Sequence, residues 1–164
     1  MKVSIQDEAN ATLYLSKEYT DNIDFSNKLN IEDYFRRLFK KLKTFYSLDI
    51  KGFYNIKIYS DKYYGSILKM QKEDLEYYDC FDNHIDMRFS NKDYSSFLYE
   101  LNDLFDIDDS LNDKIILYIY RNHMYVRIVK EINSIQLGRL IENSKIIFDD
   151  RINDVIEYGK IVKL

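Results

Sequence analysis

The chain reads as an α+β protein, and three observations carry that reading. Segments 52–70 and 114–130 alternate apolar and polar side chains around a central break, as antiparallel hairpins do. Segment 31–46 repeats apolar side chains at helical spacing. Shorter helical patterns follow the second hairpin, so the order is β-rich with interspersed helices. The expected architecture is antiparallel hairpins forming a sheet, packed by a long N-terminal amphipathic helix and short C-terminal helices. Residues 1–164 are read as a single compact domain, with 1–96 and 97–164 as candidate sub-units.

Two strands are expected at the start, near Lys2 to Ile5 and Thr12 to Ser16. The helix follows, with Ile31, Tyr34, Phe35, Leu38, Phe39, Leu42, Phe45 and Tyr46 as one stripe. Asn30 is its expected N-cap. Glu32 and Asp33 fall in the first turn and Lys40, Lys41 and Lys43 towards the end, which complements the helix dipole. Gly52 to Met70 is a hairpin turning at Ser60-Asp61-Lys62, and His84 to Phe89 and Phe97 to Leu101 are further strands. Asp103 to Asp113 is an acidic connection. Lys114 to Lys130 is the second hairpin, turning near Arg121-Asn122-His123. Ile135 to Asn143 is a helix capped by Ser134, and Lys145 to Phe148 a short strand. Asp149 or Asp150 caps a last helix carrying Ile152, Val155 and Ile156. Gly159 stops it in a left-handed conformation, and Lys160 to Lys163 closes as a strand. The two tyrosine-rich hairpins echo each other in length.

Composition narrows the function more by exclusion than by indication. The 164 residues include 16 Tyr and 10 Phe but only 4 Gly, 2 His, 1 Cys, no Trp and no Pro. Metalloenzymes, thiol enzymes and nucleotide-loop enzymes draw on the residues that are scarce here. No cofactor and no metal are expected, and the chain is read as a non-enzyme. The tyrosine count has a second source, because Ile, Lys, Asn, Asp and Tyr all have AT-rich codons and all are abundant. The net charge of −4 is a mild solubilising excess. A lone Cys80, the absence of an apolar signal core and the lack of a membrane-length apolar run give a cytoplasmic expectation with no membrane partner.

Several constellations carry residue types that chemistry could use. Asp106, Asp108 and Ser110 mimic the first ligands of a calcium loop, but Leu111 and Leu117 stand where it needs Gly and a carboxylate. Cys80 and His84, with Asp79, Asp82 and Asp86 nearby, lack a second ligand pair, since His123 is the other histidine. The plainer reading is a buried Cys80 and an incidental His84. His123 itself reads as a solvated turn residue. The same three aspartates are the carboxylates an enzyme of unfamiliar design would use.

Two surfaces remain as binding candidates. Arg36, Arg37, Lys40 and Lys41 lie with Lys43 on the polar face of the long helix, a strip suited to RNA, DNA or an acidic partner. In the second hairpin, strand alternation puts Tyr118 and Tyr120 opposite Ile115, Leu117 and Ile119. If the aliphatic face is core, Tyr118, Tyr120 and neighbouring Tyr125 point outward as interface tyrosines. The plainer reading is cross-strand aromatic packing.

The stretch Ile116-Leu117-Tyr118-Ile119-Tyr120-Arg121-Asn122-His123-Met124-Tyr125-Val126 resembles the tyrosine-rich hairpin in the C-terminal domain of MecA-type adaptors. Glu157-Tyr158-Gly159-Lys160-Ile161-Val162 resembles that family's closing segment, and Phe97 to Ile107 its lead-in. The resemblance spans the chain from Phe97 onward. It implies a non-enzymatic adaptor that docks on an AAA+ unfoldase such as ClpC, and it assigns no individual binding residue. The expected function is therefore a non-catalytic protein-interaction module, an adaptor or regulator with a protein partner. The alternative is a nucleic-acid-associated factor using the helix from Ile31 to Tyr46. A homodimer is a further candidate assembly, because open aromatic hairpin edges pair readily.

Overall fold

The computed structural model describes residues 2–7, 9–20, 23, 27–46, 52–73, 85–93, 96–104 and 107–163. Their order is β1 (Lys2–Ile5), β2 (Asn10–Ser16), α1 (Lys17–Thr20), α2 (Lys28–Tyr46), β3 (Gly52–Asp61), β4 (Gly65–Glu73), β5 (Ile85–Asp93), β6 (Leu98–Leu101), β7 (Ile115–Tyr120), β8 (His123–Ile128), α3 (Ser134–Glu142), β9 (Ser144–Ile147), α4 (Arg151–Tyr158) and β10 (Lys160–Val162). A 3-10 turn at Asp109–Leu111 interrupts the acidic connection. The α+β class is what the chain adopts.

The strands form two five-stranded sheets, in the orders β1-β2-β4-β3-β5 and β10-β7-β8-β6-β9. This corrects the expected single sheet. The reason lies in the pairing. β2 runs antiparallel to β4 and β6 antiparallel to β8, so each hairpin takes its own preceding strand as neighbour. The long helix does not open the chain but follows β1, β2 and α1. The chain divides into two compact units, Met1–Ser60 with Gly65–Lys92, and Asp61–Tyr64 with Asp93–Leu164.

In the first unit α2 packs Ile31, Phe35, Leu38, Phe39 and Leu42 against Leu13, Leu15, Tyr54, Ile56, Ile58, Leu68 and Met70 of the sheet. Phe35 sits 5.9 Å from Phe39 and 5.0 Å from Phe89, ring centre to ring centre. The helix begins a turn earlier than expected. Asn27 caps it through a side-chain oxygen that accepts from the Leu29 N–H at 3.1 Å, so Asn30 lies inside the helix. Glu32 and Asp33 fall outside the first turn in consequence. Phe45, assigned to the stripe, is 76% exposed, because the last turn runs past the sheet-facing contacts. β3 continues through Asp61 and the turn is 62–64.

In the second unit Tyr99, Leu101, Leu111, Ile115, Leu117, Val126, Ile128 and Leu140 form the core, which places α3 on that face of the sheet. The β7–β8 loop is two residues, Arg121 and Asn122, with φ of 48° and 65°. Both angles are positive, as the mirror-image hairpin turns require. His123 is therefore the first residue of β8. Asn133, not Ser134, caps α3, because Gln136 completes a reciprocal capping box with it. Gly159 has φ −73° and ψ 139°, so it does not stop α4 in the left-handed region. Its need for glycine is spatial: a Cβ would stand 2.3 Å from the Val155 carbonyl oxygen and 3.3 Å from the Tyr118 ring.

Candidate functional site

The helical geometry of α2 gathers the four sequence-predicted cations. At 100° per residue Arg36, Lys40, Arg37 and Lys41 cover an arc of about 140°. All four are exposed, on the side away from the buried stripe. Arg37 donates from Nε to the Asp33 carbonyl oxygen at 3.2 Å. The side chains of Arg36, Lys40 and Lys41 make no ion pair or hydrogen bond among the described residues. In this unit Lys and Arg equal Asp and Glu in number, so the −4 excess belongs to the second unit. The net acidity of the chain therefore does not argue against an anionic partner at α2.

Of the two readings of the second hairpin's tyrosines, cross-strand packing fits the structure and the outward-facing one does not. Tyr118 is 3% and Tyr125 6% exposed, and Tyr120 is half-buried. Tyr118 and Tyr125 face each other across β7 and β8, on the side opposite the α3 core. That side is covered as well. α4 buries Ile152 and Val155, Gly159 lies against Tyr118, and Arg151 is near enough to Tyr125 to influence its hydroxyl. Burial pushes the Tyr125 hydroxyl above its ordinary value, with Glu100 adding to the effect. The outward-facing reading assumed one dry face on the hairpin; α4 supplies a second.

Exposed apolar groups of this unit include Ile135 at the start of α3 and, in the closing segment, Tyr158 and Ile161. Tyr158 is 66% and Ile161 59% exposed, and β10 ends the strand order, paired on one side with β7. Sequence reasoning singled out neither as a surface residue; the one available signal was the brevity of the closing strand, since edge strands are often very short.

His123 donates or accepts at Nδ1 with Glu100 Oε1 at 2.8 Å, and its ring lies 6.4 Å from Tyr125. It is therefore partnered, not merely solvated. Asp108 is also taken: its oxygens accept from the Ser110 N–H and from Arg139 Nη1 at 2.5 Å. Asp79, Cys80, Asp82, His84 and Asp106 lie outside the described residues. Among the described residues no group of three His, Cys, Asp or Glu is placed to hold a metal ion. No helix among them is long and apolar enough to cross a membrane.

No family model, curated protein or solved structure matches the chain. The geometry thus stands on its own. It offers a basic helix face on the first unit and an exposed apolar edge strand on the second. Both are binding chemistries.

Proposed function

We propose that the chain is a non-catalytic protein-interaction module, an adaptor or regulator working in the cytoplasm. The observation that supports this reading is edge strand β10, which carries exposed Ile161 next to exposed Tyr158. An edge strand with open backbone groups accepts a further strand, and flanking apolar side chains give that addition its specificity. The segment is also the one that resembles the closing part of MecA-type adaptors, which makes an AAA+ unfoldase such as ClpC the partner to test. Ile161→Lys is expected to weaken binding to a purified ClpC-type unfoldase by at least about tenfold, as loss of an interface anchor does. Because Ile161 is exposed, melting temperature should be unchanged. Undiminished binding by the variant would remove β10 as the docking edge, and no binding by the natural sequence would end the adaptor reading.

A second reading is supported by the α2 face: a nucleic-acid-associated factor. Four exposed cations within one arc form a basic strip on one helix face, the electrostatic footprint of a phosphate-backbone contact. Reversing Arg36, Arg37, Lys40 and Lys41 to Glu is expected to abolish binding of a single-stranded oligonucleotide. The logarithmic salt slope of the natural sequence should be roughly 0.7 per contact made. Fluorescence anisotropy across a salt series measures both, and salt-insensitive binding would reject the reading.

A further inference from the structure

The outer side of β10 is open among the described residues, since the strand is paired with β7 alone. Alternate residues of such an edge turn their N–H and C=O groups away from the sheet. Register places the side chains. Lys160 lies across from Ile119 and Val162 across from the core residue Leu117, on the α3 side of the sheet. Ile161 lies across from Tyr118, on the α4 side. Alternation returns Lys163 to the side of Ile161. The edge therefore reads cation, apolar, apolar, cation, with one cation on each side of the sheet.

Neither cation is satisfied within the chain. The side chains of Lys160 and Lys163 are exposed and make no ion pair or hydrogen bond among the described residues. The nearest carboxylate in the sequence, that of Glu157, is engaged elsewhere. It accepts from the Tyr158 hydroxyl and so holds that hydroxyl above its ordinary value. One exposed ammonium contributes little to affinity by itself. Two of them on a strand that also offers apolar groups and an open ladder decide which segment fits, because charge complementarity sets register and rejects wrong partners.

We propose that β10 takes up an extended peptide segment of a partner protein whose side chains run acidic, apolar, apolar, acidic. The two carboxylates meet Lys160 and Lys163. The apolar pair meets Val162 and Ile161, the latter next to exposed Tyr158. The pattern is the same read in either direction, so it serves a parallel or an antiparallel addition. The inference rests on β10 being the docking edge and adds the chemistry of what docks there. A second copy of this chain is the poorer occupant. β10 paired with itself gathers four lysines, two from each copy, in one ribbon, and edge lysines are a means by which strands avoid each other. A nucleic-acid strand is poorer too, since it brings phosphates but no row of N–H and C=O groups to continue the ladder.

The test is nuclear magnetic resonance of the full chain, following the backbone amides of Ile161 and Val162. The probes are three end-capped peptides: Thr-Glu-Val-Ile-Glu-Thr, its counterpart with Gln for Glu, and its counterpart with Lys for Glu. Saturable shifts are expected with the Glu peptide. Its Kd should be about tenfold below that of the Lys peptide, with the Gln peptide between them. Lys160→Glu combined with Lys163→Glu should reverse that order, and both lysines are exposed, so the variant keeps the fold. Equal Kd for the three peptides would overturn the acidic pattern while leaving β10 a docking edge. Saturation confined to the amides of α2 would overturn the pattern, the Glu peptide having chosen the other basic face. No saturable shift with any peptide at millimolar concentration would overturn the pattern and the docking edge together.

Discussion

Asp61→Ala is expected to lower the stability of the folded chain by about 4 kcal/mol, because it strips three buried N–H groups of their acceptor at once. Asp61 is 7% exposed. Its Oδ1 accepts from the Tyr63 and Tyr64 N–H groups at 2.7 and 2.5 Å, and its Oδ2 from the Phe97 N–H at 2.6 Å. An unpaired buried donor costs about 1–3 kcal/mol, and relaxation recovers part of the sum. Burial pushes the Asp61 carboxyl above its ordinary value, while the three N–H groups pull it back. The aromatic run depends on the same anchor: Tyr64 lies 5.9 Å from Phe97, and Phe97 6.1 Å from Phe148. Asp61→Asn separates shape from chemistry. It keeps one accepting oxygen but turns an NH2 towards the Phe97 N–H, so its cost should be smaller yet still above about 1 kcal/mol. Denaturant unfolding followed by circular dichroism gives both values. A loss below about 1 kcal/mol for Asp61→Ala would show that water replaces the carboxylate without penalty.

Gly65→Ala is the second large effect, with an expected loss on the order of 3 kcal/mol. Gly65 has φ of +118°, where side-chain-bearing residues are strained by about 1–3 kcal/mol. Space adds to the strain. A Cβ there would stand 2.5 Å from the Leu15 carbonyl oxygen and 2.6 Å from the Lys17 nitrogen. Both are backbone atoms, so relief requires β2 and β4 to part at the Ser16–Gly65 pair. Gly52→Ala is the control. Its φ is also positive, at +98°, but its added Cβ would meet only the flexible end of Lys72, at 3.2 Å. The same unfolding measurement should show a clearly smaller loss for Gly52→Ala. Equal losses would mean that strain alone, not the backbone clash, sets the cost.

Legibility in the sequence followed the range of the interaction. The α2 stripe of Ile31, Phe35, Leu38, Phe39 and Leu42 could be read because a helix buried on one side repeats its demand every 3.6 residues. Both hairpins could be read because alternation is local. The basic strip followed from the same helical geometry. What stayed hidden depended on distant segments. Tyr118 and Tyr125 carry no mark that α4 will cover them. Asp61 looks like an ordinary turn aspartate, and its third donor comes from Phe97, 36 residues away. The polar cavity on the first sheet, lined by Asn10, Thr12, Asn55, Lys57 and Gln71, draws on three strands, a pattern that exists only after β2 and β4 have found their register. Capping errors were of another kind: Asn27 against Asn30, and Asn133 against Ser134, are competitions between neighbouring residues that differ by a bond or two.

The tip of the first hairpin has a consequence for how the chain can be made or cut. Residues 61–64 belong to the second unit although the strands on either side belong to the first. The polypeptide therefore passes from one unit to the other three times, after residues 60, 64 and 92. A single protease cleavage after residue 92 cannot release two complete fragments, since the C-terminal piece leaves without its four-residue insert. During synthesis the insert emerges first and waits, its carboxylate lacking the Phe97 donor until the ribosome has extended the chain past that point. Completion of the second unit is tied to a segment already translated, so the two halves of this gene product are joined by more than a linker.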